Sequence, residues 1–394
     1  MSDIKKFIQQ RMEFYMQKYG LDILIGSLPE NIYYLTGFRS ISHNILQRNQ
    51  AYALVSCDNE RSLVISRADV PTVIEQIGEI KISCYGHFYF EISNDHRTSF
   101  TNINYILEST FDTPEHALVG AIKDAVGNKR RIGLDESRIS IQSWERLKAA
   151  FPNTEFIPAA NIFSEIRMVK HEDEIVFLER AAEIAEESLL TALSKLEIGM
   201  SEAELCDLYR ENIVAMGADP YFHVFTEGTR SALADTINTN QKIIEGSILR
   251  FDIGCVFKGY KSDIARTAVV GKISTKATDY YRSILEGEEA AIDSIKPGVT
   301  AEEIFDIAMK KTIEGIPHYR RHHCGHGIGL EIYDFPSIAK GSKTELEPGM
   351  VLCIETPYYE LGWAGVQVED TVVVTGNGSR YLSKSSRELI KIGG

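Results

Sequence analysis

Residues 1–160 are expected to form a layered α/β domain, and residues 161–394 an α+β domain made of two related halves. Three observations predict this. Strand-like and helix-like patterns alternate ahead of about residue 150. Beyond it, a run of helix, capped helix and strands occurs twice. In that second region four acidic residues lie in strongly β-forming runs, where an acid is costly unless paired, protonated or bound to a cation. A chain of 394 residues is long enough for two hydrophobic cores.

In order, MSDIKKFIQQRMEFYMQKYG opens the chain with mixed charge and helical spacing over residues 2–19. LDILIGS (21–27), IYYLTGF (32–38), QAYALVSC (50–57), SLVIS (62–66), IKISCYG (80–86) and RIGLDE (131–136) have the composition of strands. Residues from about 101 to 127 return to helical spacing. The stretch FPNTEFIPAANIFSEI, with Pro152, Asn153 and Pro158, reads as the seam between domains.

The repeat follows. IGMSEAELCDLYRENIVAMGA begins at Ile198 and PGVTAEEIFDIAMKKTIEGIP at Pro297. Each has a glycine, an apolar residue, then a hydroxyl residue with glutamate three positions on: Ser201 with Glu204, and Thr300 with Glu303. These are capping boxes, in which hydroxyl and carboxylate satisfy orphan amides at a helix start. Another helical stretch precedes each, near 172–196 and 276–294, and strands follow each. The two halves are expected to form one curved sheet backed by helices.

The net charge of −14, with no block of lysine or arginine, argues against a nucleic-acid partner. No apolar run approaches the roughly 18–20 residues that span a bilayer, so no membrane partner is expected. The first residues lack the apolar core of an export signal. The six cysteines form no CxxC pair. A cytoplasmic location is expected.

The chemistry concentrates in two stretches. SILRFDIGCVFKGYKSDIARTAVVG alternates over two runs joined by Phe257-Lys258-Gly259-Tyr260. If Lys258-Gly259 is a two-residue hairpin loop, Val256 pairs with Lys261 and Gly254 with Asp263. Asp252 then shares a face with Asp263, one diagonal step away; a loop longer by one residue would break this parity. In GMVLCIETPYYELGWAGVQVEDTVVV, Glu355 and Glu369 each lie inside a β-forming run. His326 sits between Gly325 and Gly327 on tight backbone. Any one of these acids alone reads as a solvated surface residue, and His326 alone as a hydrogen-bonded structural histidine. Together in one domain they point to a cation. Carboxylates with one imidazole suit manganese first, then iron or cobalt, with zinc also possible. Five such ligands make a pair of metal ions plausible.

These residues resemble the methionine aminopeptidase–prolidase–creatinase superfamily, whose catalytic domain has the pita-bread fold with an internal pseudo-twofold repeat. The family's ordered ligand set matches Asp252 in FDIG, Asp263 in KSDIART, His326 in GHGIG, Glu355 in CIETP and Glu369 in VQVEDT. ENIYYLTGF (30–38) and IRMVKHEDEI (166–175) extend the likeness over nearly the whole chain. The resemblance implies a creatinase-type N-terminal domain over 1–160 and a pita-bread metallohydrolase domain over 161–394. It also implies two divalent ions bridged by Asp263 and Glu369, a proton-moving role for Glu355, and a homodimer. In such dimers Arg39, His43 and Arg48 are candidates to reach the partner's active site, with surface solvation as the plainer reading.

The chain departs from the family's peptidases at two substrate histidines. One lies in a motif like G-x-N-x-A-x-P-H, matched here by EGTRSALADT, with Arg230 for the asparagine, Ala234 for the proline and Asp235 for the histidine. The other, seven residues beyond the ligand histidine, is replaced by Tyr333. An ionised Asp235 only accepts hydrogen bonds and would attract an amine, amidine or guanidine. Tyr333 can donate to a developing oxyanion. His322 stands where proline-specific aminopeptidases often present a histidine to substrate, whereas His323 and Cys324 are expected to pack or face solvent. Cys255 and Cys353 are read as core residues facing away from the ligands. Gln367 replaces an arginine of proline aminopeptidases.

The catalytic set is therefore expected to be Glu355, Tyr333 and His322, with Asp235, Arg230 and His322 binding substrate. The altered histidine positions favour a metal-dependent hydrolase of a C–N bond in a small amino-acid-derived substrate, like creatinase or ectoine hydrolase. The alternatives are an Xaa-Pro dipeptidase or aminopeptidase, and a catalytically silent binding protein.

Overall fold

The computed structural model of the chain describes residues 3–45, 50–91, 103–108, 110–126, 131–272 and 274–393. They fall into two compact units, Met1–Ile166 and Arg167–Gly394.

The first unit is built on a six-stranded mixed sheet. Its strands are β1 (Ile23–Gly26), β2 (Tyr52–Ser56), β3 (Arg61–Ser66), β4 (Lys81–Tyr85), β5 (Arg131–Leu134) and β6 (Glu155–Pro158), in the order β4-β3-β2-β1-β5-β6. Its helices are α1 (Asp3–Tyr19), α2 (Pro29–Thr36), α3 (Ile41–Ile45), α4 (Val70–Ile77), α5 (Ile103–Glu108), α6 (Pro114–Val126), α7 (Ile141–Ala150) and α8 (Ala160–Met168). Ile23, Ile25, Leu54, Val64, Ile132 and Leu134 of the sheet form one core with Leu118, Ala121 and Ile122 of α6 and Leu147 of α7.

Two expectations change here, and the expected seam of residues 151–166 ends where the units divide. Residues 32–38 are not a strand, because Pro29 is preset for the first helical turn and Gly37, at φ 81°, stops α2 by donating its N–H to the Tyr33 carbonyl. Within it Ile32 and Leu35 are buried one turn apart. The helical stretch near 101–127 is two helices, with Phe111 pairing to Tyr85 between them; residues 101, 102, 109 and 127 lie outside the described residues. The stretch read as a seam contains β6, which pairs with β5 in parallel, and the division between units falls within α8.

The second unit shows the repeat. Its first half runs α9 (Glu172–Ser194), α10 (Glu202–Ala215), β7 (Asp219–Glu227), β8 (Ile248–Phe257), β9 (Tyr260–Lys261) and β10 (Ile264–Val270). The second runs α11 (Thr275–Ser294), α12 (Ala301–Gly315), β11 (His323–Gly327), β12 (Asp334–Ala339), β13 (Val351–Glu355), β14 (Tyr358–Glu360), β15 (Ala364–Val366) and β16 (Glu369–Val374). Both expected capping boxes are formed, on Ser201 with Glu204 and on Thr300 with Glu303. Each capping residue also makes an isolated antiparallel bridge, Ser201 to Lys242 and Thr300 to Glu345, so the halves match in detail.

The main sheet runs β12-β11-β13-β16-β10-β8-β7, and the halves join where β10 meets β16. Helices cover one face: Ala181, Ala185 and Leu189 of α9 with Leu205 and Tyr209 of α10 pack on Phe225, Phe251, Ile253 and Cys255. Cys255 is thus a core residue as expected. Alternation turns Asp252 to the other face. Among the described residues, no helix is long and apolar enough to cross a membrane.

Candidate metal centre

Strand register builds the site. The β8–β10 hairpin has the expected pairing: Phe257 meets Tyr260, Val256 meets Lys261, and beyond the turn Ile253 meets Ile264 and Asp252 meets Ala265. Lys258 and Gly259 both have positive φ, at 49° and 91°, as a two-residue hairpin loop of this type requires. Ala265 pairs with Asp252 on one side and with Glu369 of β16 on the other. Asp263 precedes Ala265 by two and shares its face. Glu355 of β13 lies directly opposite Glu369, and His326 of β11 directly opposite Cys353, two residues before Glu355. One sheet face therefore gathers Asp252, Asp263, Glu369, Glu355 and His326, around a residue no larger than alanine.

Four of these five side chains fall into two donor groups, and Glu355, ion-paired to Arg321, is in neither. Oxygens of Asp252, Asp263 and Glu369 lie within 4.8 Å of one another, and so do donor atoms of Asp263, His326 and Cys353. The two groups share Asp263. His326 Nδ1 is 3.0 Å from the Gly327 carbonyl, which can only accept, so Nδ1 carries the proton. Nε2 then aims its lone pair at Asp263 Oδ2, 3.5 Å away, and at Glu369 Oε1, 3.9 Å away. Gly325, at φ 149°, holds β11 this close to β13: a Cβ there would come within 2.2 Å of the Cys353 carbonyl.

Burial dominates the electrostatics. It holds Asp263 and Glu369 well above the ordinary carboxylate range, with the neighbouring carboxylates adding to the effect. It also raises Asp252, against the pull of Arg250, and puts Glu355 at about 7, against Arg321. His326 is pushed down to about 4 and is neutral. Asp263 Oδ1 and Glu369 Oε1 are buried with no hydrogen-bond partner. Crowded carboxylates, orphaned oxygens and an inward lone pair are what a divalent cation would satisfy, so the donor set fits one or two metal ions.

The other expected residues divide. The Tyr333 ring lies 4.3 Å from the His326 ring and is 66% exposed, at the mouth of the site. Asp334 behind it is buried and ion-paired to Arg167 at 3.2 Å. Asp235 is exposed, yet close enough that its charge acts on Asp252. Arg230 turns away from the carboxylates: its Nε bonds both Glu202 oxygens, at 3.0 and 3.1 Å, and Nη2 the Ile237 carbonyl at 2.8 Å. What it holds is the loop. In the first unit Arg39 stacks on Tyr33 at 4.1 Å and His43 is buried, while Arg48 lies outside the described residues.

Two expectations are corrected. His323, read as packing or facing solvent, puts Nδ1 3.4 Å from Glu355 Oε1, because the β11–β12 register shifts between His323 and His326 and breaks simple alternation; His322 is exposed, its ring 4.3 Å from that of His323. Cys353 faces the site instead of the core beneath it, since residues two apart on a strand share a face.

Sequence reasoning also missed two arginines. Arg250 is fully buried and donates to Asp252 Oδ2 (3.1 Å), Gln367 Oε1 (2.8 Å) and the carbonyls of Ser231, Leu233 and Ala234. Its position two before Asp252 was a usable signal. Arg321 Nη2 reaches Glu355 Oε1 at 3.2 Å while its buried Nε has no partner; it precedes β11 in an irregular segment, where no periodicity marks it. Gln367 bridges the face, with Nε2 at 3.4 Å from Glu355 and 3.3 Å from Glu369.

Comparison with known proteins agrees with this geometry. Residues 177–376 match metallopeptidase family M24, and residues 9–169 match the creatinase/prolidase N-terminal domain. An Xaa-Pro dipeptidase of Pyrococcus horikoshii is 35% identical over 258 residues, 65% of this chain and 74% of that protein. The crystal structure of the prolidase from Pyrococcus horikoshii superposes with a TM-score of 0.80 at 27% identity, covering 98% of this chain and all (100%) of that one. The structure of an Xaa-Pro dipeptidase from Bacillus anthracis gives 0.82 at 26%, over 99% and 100%.

Proposed function

The chain belongs to metallopeptidase family M24 and is a metal-dependent hydrolase of peptide-type C–N bonds, and from that premise we propose that it is a dipeptidase acting on free Xaa-Pro dipeptides. The relatives named above are Xaa-Pro dipeptidases and a prolidase, which supports this reading over the creatinase-like one that Asp235 and Tyr333 suggested. The observation that carries its metal dependence is the pair of overlapping donor groups sharing Asp263.

Asp252, Asp263, His326, Glu355 and Glu369 would hold two divalent ions, with manganese suited to the carboxylate-rich donors. Bound there, the ions would supply an activated water and a Lewis acid for the scissile carbonyl. Glu355, at the edge of that donor set, would take the proton of the activated water and return it to the leaving amine. Tyr333, its ring 4.3 Å from that of His326, can donate its hydroxyl to a developing oxyanion, and neutral His323, at about 4, accepts from the Gly325 N–H at Nδ1 and so keeps its proton on Nε2 as a further donor. The two ends of a free dipeptide find opposite charges: Asp235 for the ammonium, and Arg321, with its spare Nε, for the carboxylate. The working form is taken to be a homodimer, by family resemblance; solution scattering showing a monomer would remove that element.

The test is a panel of free Xaa-Pro dipeptides, their N-acetylated and C-amidated forms, and a guanidino acid, given to metal-loaded protein. Cleavage of the free dipeptides with loss on blocking either end is expected. Turnover of the guanidino acid with none of the dipeptides would restore the creatinase-like reading.

A further inference from the structure

Cys353 brings to the candidate centre a sulfur that the five-residue set does not contain. Its Sγ, a carboxylate oxygen of Asp263 and a ring nitrogen of His326 all lie within 4.8 Å of one another, and all three residues are buried. Register makes this geometry, not chance: Cys353 pairs with His326 on β11 and with Thr371 on β16. The thiol has only loose neighbours, Thr371 Oγ1 at 3.5 Å and the Asp263 carbonyl at 3.7 Å. At the same place Asp263 Oδ1 and Glu369 Oε1 lack partners, although Asp263 is 4% and Glu369 2% exposed.

The donors thus sort by softness along the site. Asp252, Asp263 and Glu369 offer oxygen alone; Asp263, His326 and Cys353 offer oxygen, nitrogen and sulfur. Oxygen-only positions suit manganese, whereas a thiolate with an imidazole selects zinc or another borderline ion. We infer that Cys353 is a ligand of the cation position at His326, that this position takes zinc, and that the all-oxygen position beside it takes manganese, giving a mixed centre. The inference rests on the reading that these carboxylates hold metal ions. Zinc typically sits about 2.3 Å from a thiolate sulfur and about 2.0 Å from an imidazole nitrogen, and donor atoms within 4.8 Å of one another can share one such ion. As the sulfur–metal bond forms the S–H bond breaks, and the proton passes to solvent.

Cobalt as a spectroscopic probe tests this on the full-length protein, stripped of metal and reloaded, beside Cys353→Ser and Cys353→Ala. The unmodified protein should show a thiolate-to-cobalt charge-transfer band in the near ultraviolet that the variants lose. In zinc titrations the variants should lose at least the about 10- to 100-fold in affinity that even an outer-shell change costs, with manganese binding kept. Two variants are used because a buried hydroxyl or a small void could each unsettle the strand; if neither folds, the cobalt spectrum of the unmodified protein decides. Two ions bound per chain without the band would overturn the thiol ligand and leave the metal reading standing. A protein that binds no divalent ion would overturn both.

Discussion

Stripping the metal from the protein should make its second unit lose stability as pH rises. Burial holds Asp263 and Glu369 well above the ordinary carboxylate range and Glu355 at about 7. A carboxyl raised in the folded state keeps its proton there after the unfolded chain has released its own. Stability present at low pH is therefore withdrawn as pH climbs toward the folded value. Buried His326 and His323, both at about 4, act in the opposite sense, but only below their ordinary value of 6.5. Between about pH 6.5 and about pH 8 the carboxyls act alone, each still-protonated one costing about 1.4 kcal/mol per pH unit. A carboxyl that stayed protonated through the whole window would withdraw about 2 kcal/mol, or roughly 4–8 °C of melting temperature for a domain of this size. The assay is thermal melting in chelator at stepped pH, repeated with manganese or zinc restored. The metal-loaded protein should lose this slope, because bound carboxylates are ionised at every pH in the window. A metal-free melting temperature that stays level or rises through the window would refute the buried, mutually repelling face.

Arg250→Met should cost about 3–5 kcal/mol, the typical price of breaking a buried charge pair, because Asp252 and three carbonyls lose their donor; an unchanged urea midpoint would contradict this. Tyr333→Phe should lower kcat roughly 100- to 1,000-fold with metal content intact, as removal of one oxyanion donor does, and near-wild-type turnover would remove Tyr333 from the chemistry. His323→Ala should reduce kcat by about 100-fold or more while His322→Ala leaves it near normal, a contrast that equal effects would abolish.

What the sequence made legible was mostly local. The hairpin register followed from the two-residue loop at Lys258-Gly259, and both capped helices from a hydroxyl with a glutamate three residues on. The five candidate ligand positions could be named from motifs, but their shared face depends on pairings of β10 with β16 and β13 with β16 that no local pattern reports. Residues 32–38 misled because aromatic and β-branched side chains outweighed the helix signals at Pro29 and Gly37. His323 was hidden by an irregularity in β11, which strict alternation cannot anticipate. Cys353 and Arg250 were legible: each lies two residues from a ligand, and the parity of a strand assigns both to its face.

Ala265 has a consequence for how the molecule is made. Asp252 and Asp263 come together in a local hairpin, whereas Glu369 reaches Ala265 through a pairing that spans roughly a hundred residues of chain. During synthesis the first half-site can therefore emerge as a bare pair of acids well before its counterpart leaves the ribosome. On this basis ion capture is expected to follow the closing of the sheet rather than to drive it. Pulsed hydrogen exchange during refolding should show amides of Asp252 and Ile264 protected ahead of those of Glu355 and Glu369, at a rate indifferent to added manganese; simultaneous protection that quickens with metal would mean the ion recruits the second half itself.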